Sequence, residues 1–144
     1  MKVELNNEFR EKHPQCSLSL STIVNLRENL FELIQELNVE LFTLAAGWTY
    51  FLKILHAVNK SNHKLFAAAC VLLAYKHYEE QQSPDKLHTL LRRLAVLSNS
   101  LHPKALVKAE LSVSQLLDFS LCLTESEYHD TFALMQAKLP KALV

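Results

Sequence analysis

Glycine is almost missing: the 144 residues contain one, with four prolines. No Gly-rich phosphate loop exists, and breakers are too few to interrupt the periodic segments, which Leu, Ala, Glu, Lys and Gln fill. Nearly half of the residues are hydrophobic. This is the composition of a folded helical chain and not of a disordered one.

An excess of either charge is also missing. Fifteen basic residues balance fifteen acidic ones, so no whole-domain field steers the chain onto DNA or an anionic membrane. Local basic patches remain at Arg92, Arg93 and at Lys104, Lys108. Neither nucleic acid nor membrane is expected as a partner. Cysteine is sparse: Cys16, Cys70 and Cys122 are widely spaced and odd in number, with no CxxC and no Cys/His pairing at zinc spacing. Reduced, mostly buried thiols in a cytoplasmic or nuclear protein are expected.

Long hydrophobic runs are lacking as well. The longest, Leu65 to Tyr75, has 11 residues, where a membrane span needs about twenty. The first ten residues, MKVELNNEFR, hold no apolar targeting segment, and a soluble protein is expected. The sequon at Asn59, Lys60 and Ser61 carries no weight without a secretory signal. The histidines, among them His56, His63, His77, His88 and His102, have no Asp, Glu or Cys at ligand spacing. Cys70 lies in the most apolar segment, which disfavours a thiolate. With no convergent acid, base, nucleophile or metal set, the reading is of a non-enzyme without cofactor.

What is present is helical periodicity. Residues 1–17 are polar, with Pro14, and read as an arm or a short helix. From about Leu18 to Leu37, Ile23, Leu26, Leu30, Leu33, Ile34 and Leu37 recur at three and four, opposite Asn25, Arg27, Glu28 and Glu32. Asn38 is read as the cap of a second helix, about Val39 to Ala57. A turn at Asn59 to Asn62 leads into a third helix that is apolar on every face and therefore central, ending in Lys76, His77 and acids. Its small residues Ala67, Ala68, Ala69 and Ala74 let neighbouring helices approach. Ser83 with Pro84 opens a fourth helix running to about Leu97, and His102 with Pro103 a fifth, to about Leu117. The fifth is read as amphipathic through Leu106, Val107, Leu111, Val113, Leu116 and Leu117. Thr124 with Glu127 makes a capping box for a short last helix.

The order of a small-residue apolar helix, then Leu72, Leu73, Ala74, Tyr75, Lys76 and acids, resembles the central helix of the cyclin box. Within that family the run around Asn59, Lys60, Asn62, Lys64 and Leu65, followed by Ala69, Cys70, Val71, Leu72, Leu73 and Ala74, is similar to the single cyclin box of the Cables proteins, adaptors of cyclin-dependent kinases and the Abl tyrosine kinase. The likeness runs from roughly Leu18 to Leu134 and is dense from about Leu44 to Lys76. It implies an all-α fold: one cyclin box, a five-helix bundle around a buried central helix, with short flanking helices. The expected division is an arm at 1–17, the box at 18–123, and a helix and tail at 124–144. The free chain is expected to be monomeric.

The resemblance also implies a site. In kinase-activating cyclins a Lys ending the central helix and a Glu in the fifth hold one another and reach the kinase's mobile regulatory helix. Lys76 and Glu110 match those positions, and Phe119 and Leu121 match apolar kinase contacts. His77 stands where cyclins commonly carry an apolar residue and joins the candidate surface. Substrate-recruiting cyclins carry an apolar motif on the first helix. The matching run Leu26, Arg27, Glu28, Asn29, Leu30 puts polar Asn29 in that patch, which argues against such docking. The Asp that usually ties the motif's Arg is here Tyr50, so Arg27 needs another acceptor or solvent and is expected to be at least partly exposed.

The function implied is a non-catalytic, cyclin-like regulatory adaptor that binds a cyclin-dependent kinase. The alternative is a cyclin-fold, transcription-related protein-binding module. A tetratricopeptide-like array lacks the required period.

Overall fold

Local chemistry sets several of the helix ends, and the computed structural model describes residues 18–79, 83–98 and 103–137. The arm and Cys16 lie outside them. α1 spans Leu20–Glu36. Ser19 caps it, its hydroxyl accepting from the Thr22 amide at 3.3 Å, and Ile23, Leu26, Leu30, Leu33 and Ile34 face inward. At its end Asn38 adopts φ 57°. The Val39 amide reaches back to the Ile34 carbonyl and the Asn38 amide to that of Gln35, the paired bonds of a Schellman motif. Asn38 thus closes the first helix and does not cap the second. In a chain with one glycine, Asn is the next residue to tolerate the left-handed region at low cost.

α2, Leu41–Lys53, begins at Glu40, which makes no side-chain cap. Glu79 supplies it from across the fold: its Oε1 accepts from the Glu40 amide at 3.3 Å and from the Thr43 hydroxyl at 3.2 Å. A carboxylate there meets the positive end of the α2 dipole. The second helix is also shorter than its periodicity predicts, because Leu55–Ala57 tightens into a 3-10 turn. The Asn59 side chain then accepts from the Ser61 and Asn62 amides, folding the turn into α3, His63–Tyr78.

Every residue of α3 from Ala67 to Tyr75 is buried. α3 packs against α2, α4 (Pro84–Leu97) and α5 (Pro103–Leu116), so an apolar circumference is what its position requires. The closest approach is to α2 at Gly47. A Cβ there would lie 2.8 Å from the Val71 Cα and 3.2 Å from the Cys70 carbonyl oxygen. The single glycine stands where two helix backbones touch.

Ser83 caps α4, accepting from the Lys86 amide at 3.1 Å, with Pro84 in the first turn. A sixth helix, α6 (Glu125–Ala137), packs on α2. The Thr124 amide and hydroxyl both donate to Glu127 Oε1 at 3.0 Å. Lys53 of α2 reaches the other Glu127 oxygen. The described residues form helices, turns and connections without a strand: an all-α architecture of five helices, α3 buried among the other four, with a further helix beyond.

Candidate functional site

α3 and α5 pack so that the polar end of α3 meets the middle of α5. Lys76, in the last turn of α3, brings its ammonium to 3.0 Å from Glu110 Oε1 and 3.1 Å from Oε2. The two partners differ in exposure: the Lys76 side chain is 42% exposed and that of Glu110 12%. Among the described residues Glu110 Oε1 is sealed from solvent and accepts no hydrogen bond of good geometry, and the Lys76 ammonium beside it offsets its charge. The pair fixes a positive charge at the rim, with a carboxylate behind it.

The segment after α5 returns to the same end of α3. α5 closes with a second Schellman motif, the Phe119 amide donating to the Ser114 carbonyl at 2.7 Å and the Asp118 amide to that of Gln115 at 3.0 Å. Asp118 and Phe119 sit at φ 53° and 57°. The Leu121 carbonyl then accepts from two hydroxyls, that of Tyr50 on α2 and that of Tyr78 on α3 at 3.1 Å. The Leu123 amide donates to the Tyr78 oxygen at 2.9 Å. Burial, with Tyr78 next to it, pushes the Tyr50 phenol far up, so it stays a donor. The segment is therefore fixed to the core on both sides of Cys122.

Of the residues expected at the site, the structure joins Lys76 to Glu110 and sets His77 beside the returning segment, its Nε2 3.6 Å from Cys122 Sγ. The Leu121 side chain is half-buried against the core. Phe119 stands out from the surface, 65% exposed, with no contact to the ion pair among the described interactions. Three corrections accompany these placements. Val107 and Leu111, read as part of the apolar face of the fifth helix, are 52% and 57% exposed, and with Leu116 they give α5 an apolar outer side flanking Glu110. Of the two described thiols, expected to be mostly buried, Cys70 is buried and Cys122 exposed. A Cys/His contact exists although none is visible as spacing, because 45 residues separate the two. Apolar periodicity marks these side chains as one face of a helix but does not reveal whether the protein itself covers that face.

The first-helix motif behaves differently. Arg27 is half-buried and lines a groove of about 250 Å³ with Ile23, Trp48, Leu52 and Leu134. Its guanidinium lies 3.6 Å from Glu28, its Nε is sealed without a hydrogen bond, and burial holds its pKa below the usual value. Tyr50, where the family's Asp would stand, is committed to Leu121. Asn29 lines a different, charged depression with Glu32, Glu36 and Arg93, Arg93 and Glu36 pairing at 2.5 Å. Leu33, Val96 and Leu97 complete its lining.

Among the described residues no three His, Cys, Asp or Glu side chains gather as a metal site, and no helix is long and apolar enough to cross a membrane. Burial pushes the Cys70 thiol far up, which makes it unreactive.

The family model for the N-terminal domain of cyclins matches residues 3–122. Among curated relatives, "CDK5 and ABL1 enzyme substrate 2" of Mus musculus is 34% identical over 135 residues, 88% of this chain and 27% of its own. "CDK5 and ABL1 enzyme substrate 1" of Homo sapiens is 35% identical over 136 residues, 88% of this chain and 20% of its own. The chain thus spans about a fifth to a quarter of the length of these relatives. No solved structure matches it.

Proposed function

The chain belongs to the cyclin family, matched through the cyclin N-terminal domain, and on that premise we propose that it is a non-catalytic adaptor that docks a cyclin-dependent kinase through the end of α3 and the outer side of α5. The observation that carries this reading is the Lys76–Glu110 pair, flanked by the exposed Val107 and Leu111. Large apolar side chains left in solvent beside a braced charge pair are the ingredients of a protein interface with a polar centre. The relatives' names refer to a cyclin-dependent kinase and to a tyrosine kinase as enzymes that act on them. Kinase association is therefore the partner class to test.

In this reading Lys76 donates to carbonyls at the end of the kinase's regulatory helix, and Glu110 holds the ammonium in place. Phe119 and Leu121 supply apolar contacts, and His77 completes the surface. The weaker form of this reading is docking without activation. Kinase activity rises on binding only if the contact also biases the regulatory helix inward.

A titration of the full chain against a panel of purified cyclin-dependent kinases tests the proposal, with Lys76→Ala and Glu110→Ala beside wild type and helicity checked for each. Saturable binding by wild type, weakened by about 1 kcal/mol or more in each folded variant, is the expected result. Binding indifferent to both substitutions moves the interface elsewhere on the domain.

A further inference from the structure

The contact between His77 and Cys122 is not needed for docking. Cys122 is exposed, its sulfur 3.6 Å from Nε2 of an exposed imidazole. The arrangement is held on every side. The His77 ring stands edge-on to that of Tyr78, 4.6 Å between centroids. The residue before Cys122 is tied by its carbonyl to Tyr50 and Tyr78, and the residue after it by its amide to Tyr78. With its Nδ1 protonated, His77 presents Nε2 as an acceptor for the thiol proton. A thiol open to solvent and in hydrogen-bond contact with a base is the arrangement that nucleophilic sulfur requires, because the thiolate is the reacting species. The other described cysteine, Cys70, has neither solvent nor a base.

We infer that Cys122 is a regulatory thiol, which exchanges with low-molecular-weight disulfides of the glutathione type, with His77 as its proton acceptor, and that the mixed disulfide closes the docking surface. The thiol proton passes to His77 Nε2, and Sγ attacks one sulfur of the disulfide. The reagent's S–S bond breaks as the new one to Cys122 forms, and the departing thiolate takes the proton back from the imidazolium. The Cys122 sulfur is oxidised and the departing sulfur reduced, so no further oxidant enters. The adduct sets a bulky anionic peptide against His77, next in sequence to Lys76 and one residue from Leu121. Bulk and negative charge there obstruct a partner and compete for the ammonium. The blocking effect rests on the docking surface proposed above; the thiol chemistry does not.

The test uses the full chain in a Cys16→Ser background, reduced and then exposed to glutathione disulfide. One adduct, mapped to Cys122 and reversed by dithiothreitol, is expected by intact mass and peptide mapping, and Cys122→Ser takes up none. His77→Gln slows the exchange about tenfold, because the thiol loses its base. A native chain that stays unmodified while its denatured form reacts overturns the thiol assignment. An exchange rate unchanged in His77→Gln overturns the role of the imidazole. In the kinase titration, the adduct loses binding while reduced wild type and Cys122→Ser bind alike. If the adduct binds as the reduced chain does, the regulatory inference falls and the docking surface stands. If the reduced chain binds no kinase, docking fails and its regulation with it, while adduct mapping still decides the chemistry of Cys122.

Discussion

Gly47 and Phe119 show what single residues decide. At Gly47 the added methyl of Ala would sit 2.8 Å from a backbone carbon of α3, and a backbone held by its own helix cannot step aside. Overpacking of this kind costs about 1–3 kcal/mol, and the gain in helix propensity returns about 1. Gly47→Ala should therefore lose up to about 2 kcal/mol in urea denaturation, against the usual sense of a Gly to Ala change in a helix. Phe119 holds a left-handed backbone that costs a non-glycine residue about 1–2 kcal/mol, with its ring largely in solvent. Phe119→Gly should raise stability by up to about 1 kcal/mol, once glycine's own entropy is set against the relieved strain. The same change should weaken kinase binding by about 1 kcal/mol or more. Opposite signs in one variant would separate a residue kept for contact from one kept for folding. Neither position is legible in the sequence. Gly47 is surrounded by helix formers, and nothing about Phe119 marks its φ. Asn38 is the instructive error, since the residue types that start helices also end them when glycine is scarce.

At the scale of elements, α6 is tied to α2 by the Lys53–Glu127 contact and by its own cap. The Lys53 ammonium first, then the Thr124 amide and hydroxyl, hold the Glu127 carboxyl down at about 2, from 4.5. A folded-state value below the unfolded one means that the contribution is complete above about 4.5 and is lost as pH falls through about 2. A carboxyl NMR titration should place the Glu127 midpoint near 2, and Glu127→Gln should flatten the acid limb of stability over that interval. A midpoint at the ordinary value would mean that the cap and the ion pair do not persist in solution. The helices were largely legible, because period, Ser-Pro starts and the Thr124–Glu127 box are local signals. The Glu79 cap of α2 was not, because it crosses the fold between residues 36 and 39 apart.

For the whole molecule, an all-α bundle is legible because one feature, a helix apolar on all sides, dictates that others surround it; the cyclin family is legible only by resemblance. The Lys76–Glu110 pair came from resemblance; their separation of 34 residues carries no physical instruction to meet until α3 and α5 cross. The exposed side of α5 and the thiol on His77 are products of assembly that no local pattern announces. In the proposed function this chain meets a cyclin-dependent kinase on the surface that a cyclin uses. Competition is the most direct measurement: the labelled chain bound to a responding kinase, challenged with that kinase's own cyclin. Mutually exclusive binding is predicted, with Lys76→Ala displaced at lower cyclin concentration than wild type. A stable complex of all three would contradict the account, because it would place the interface away from α3 and α5.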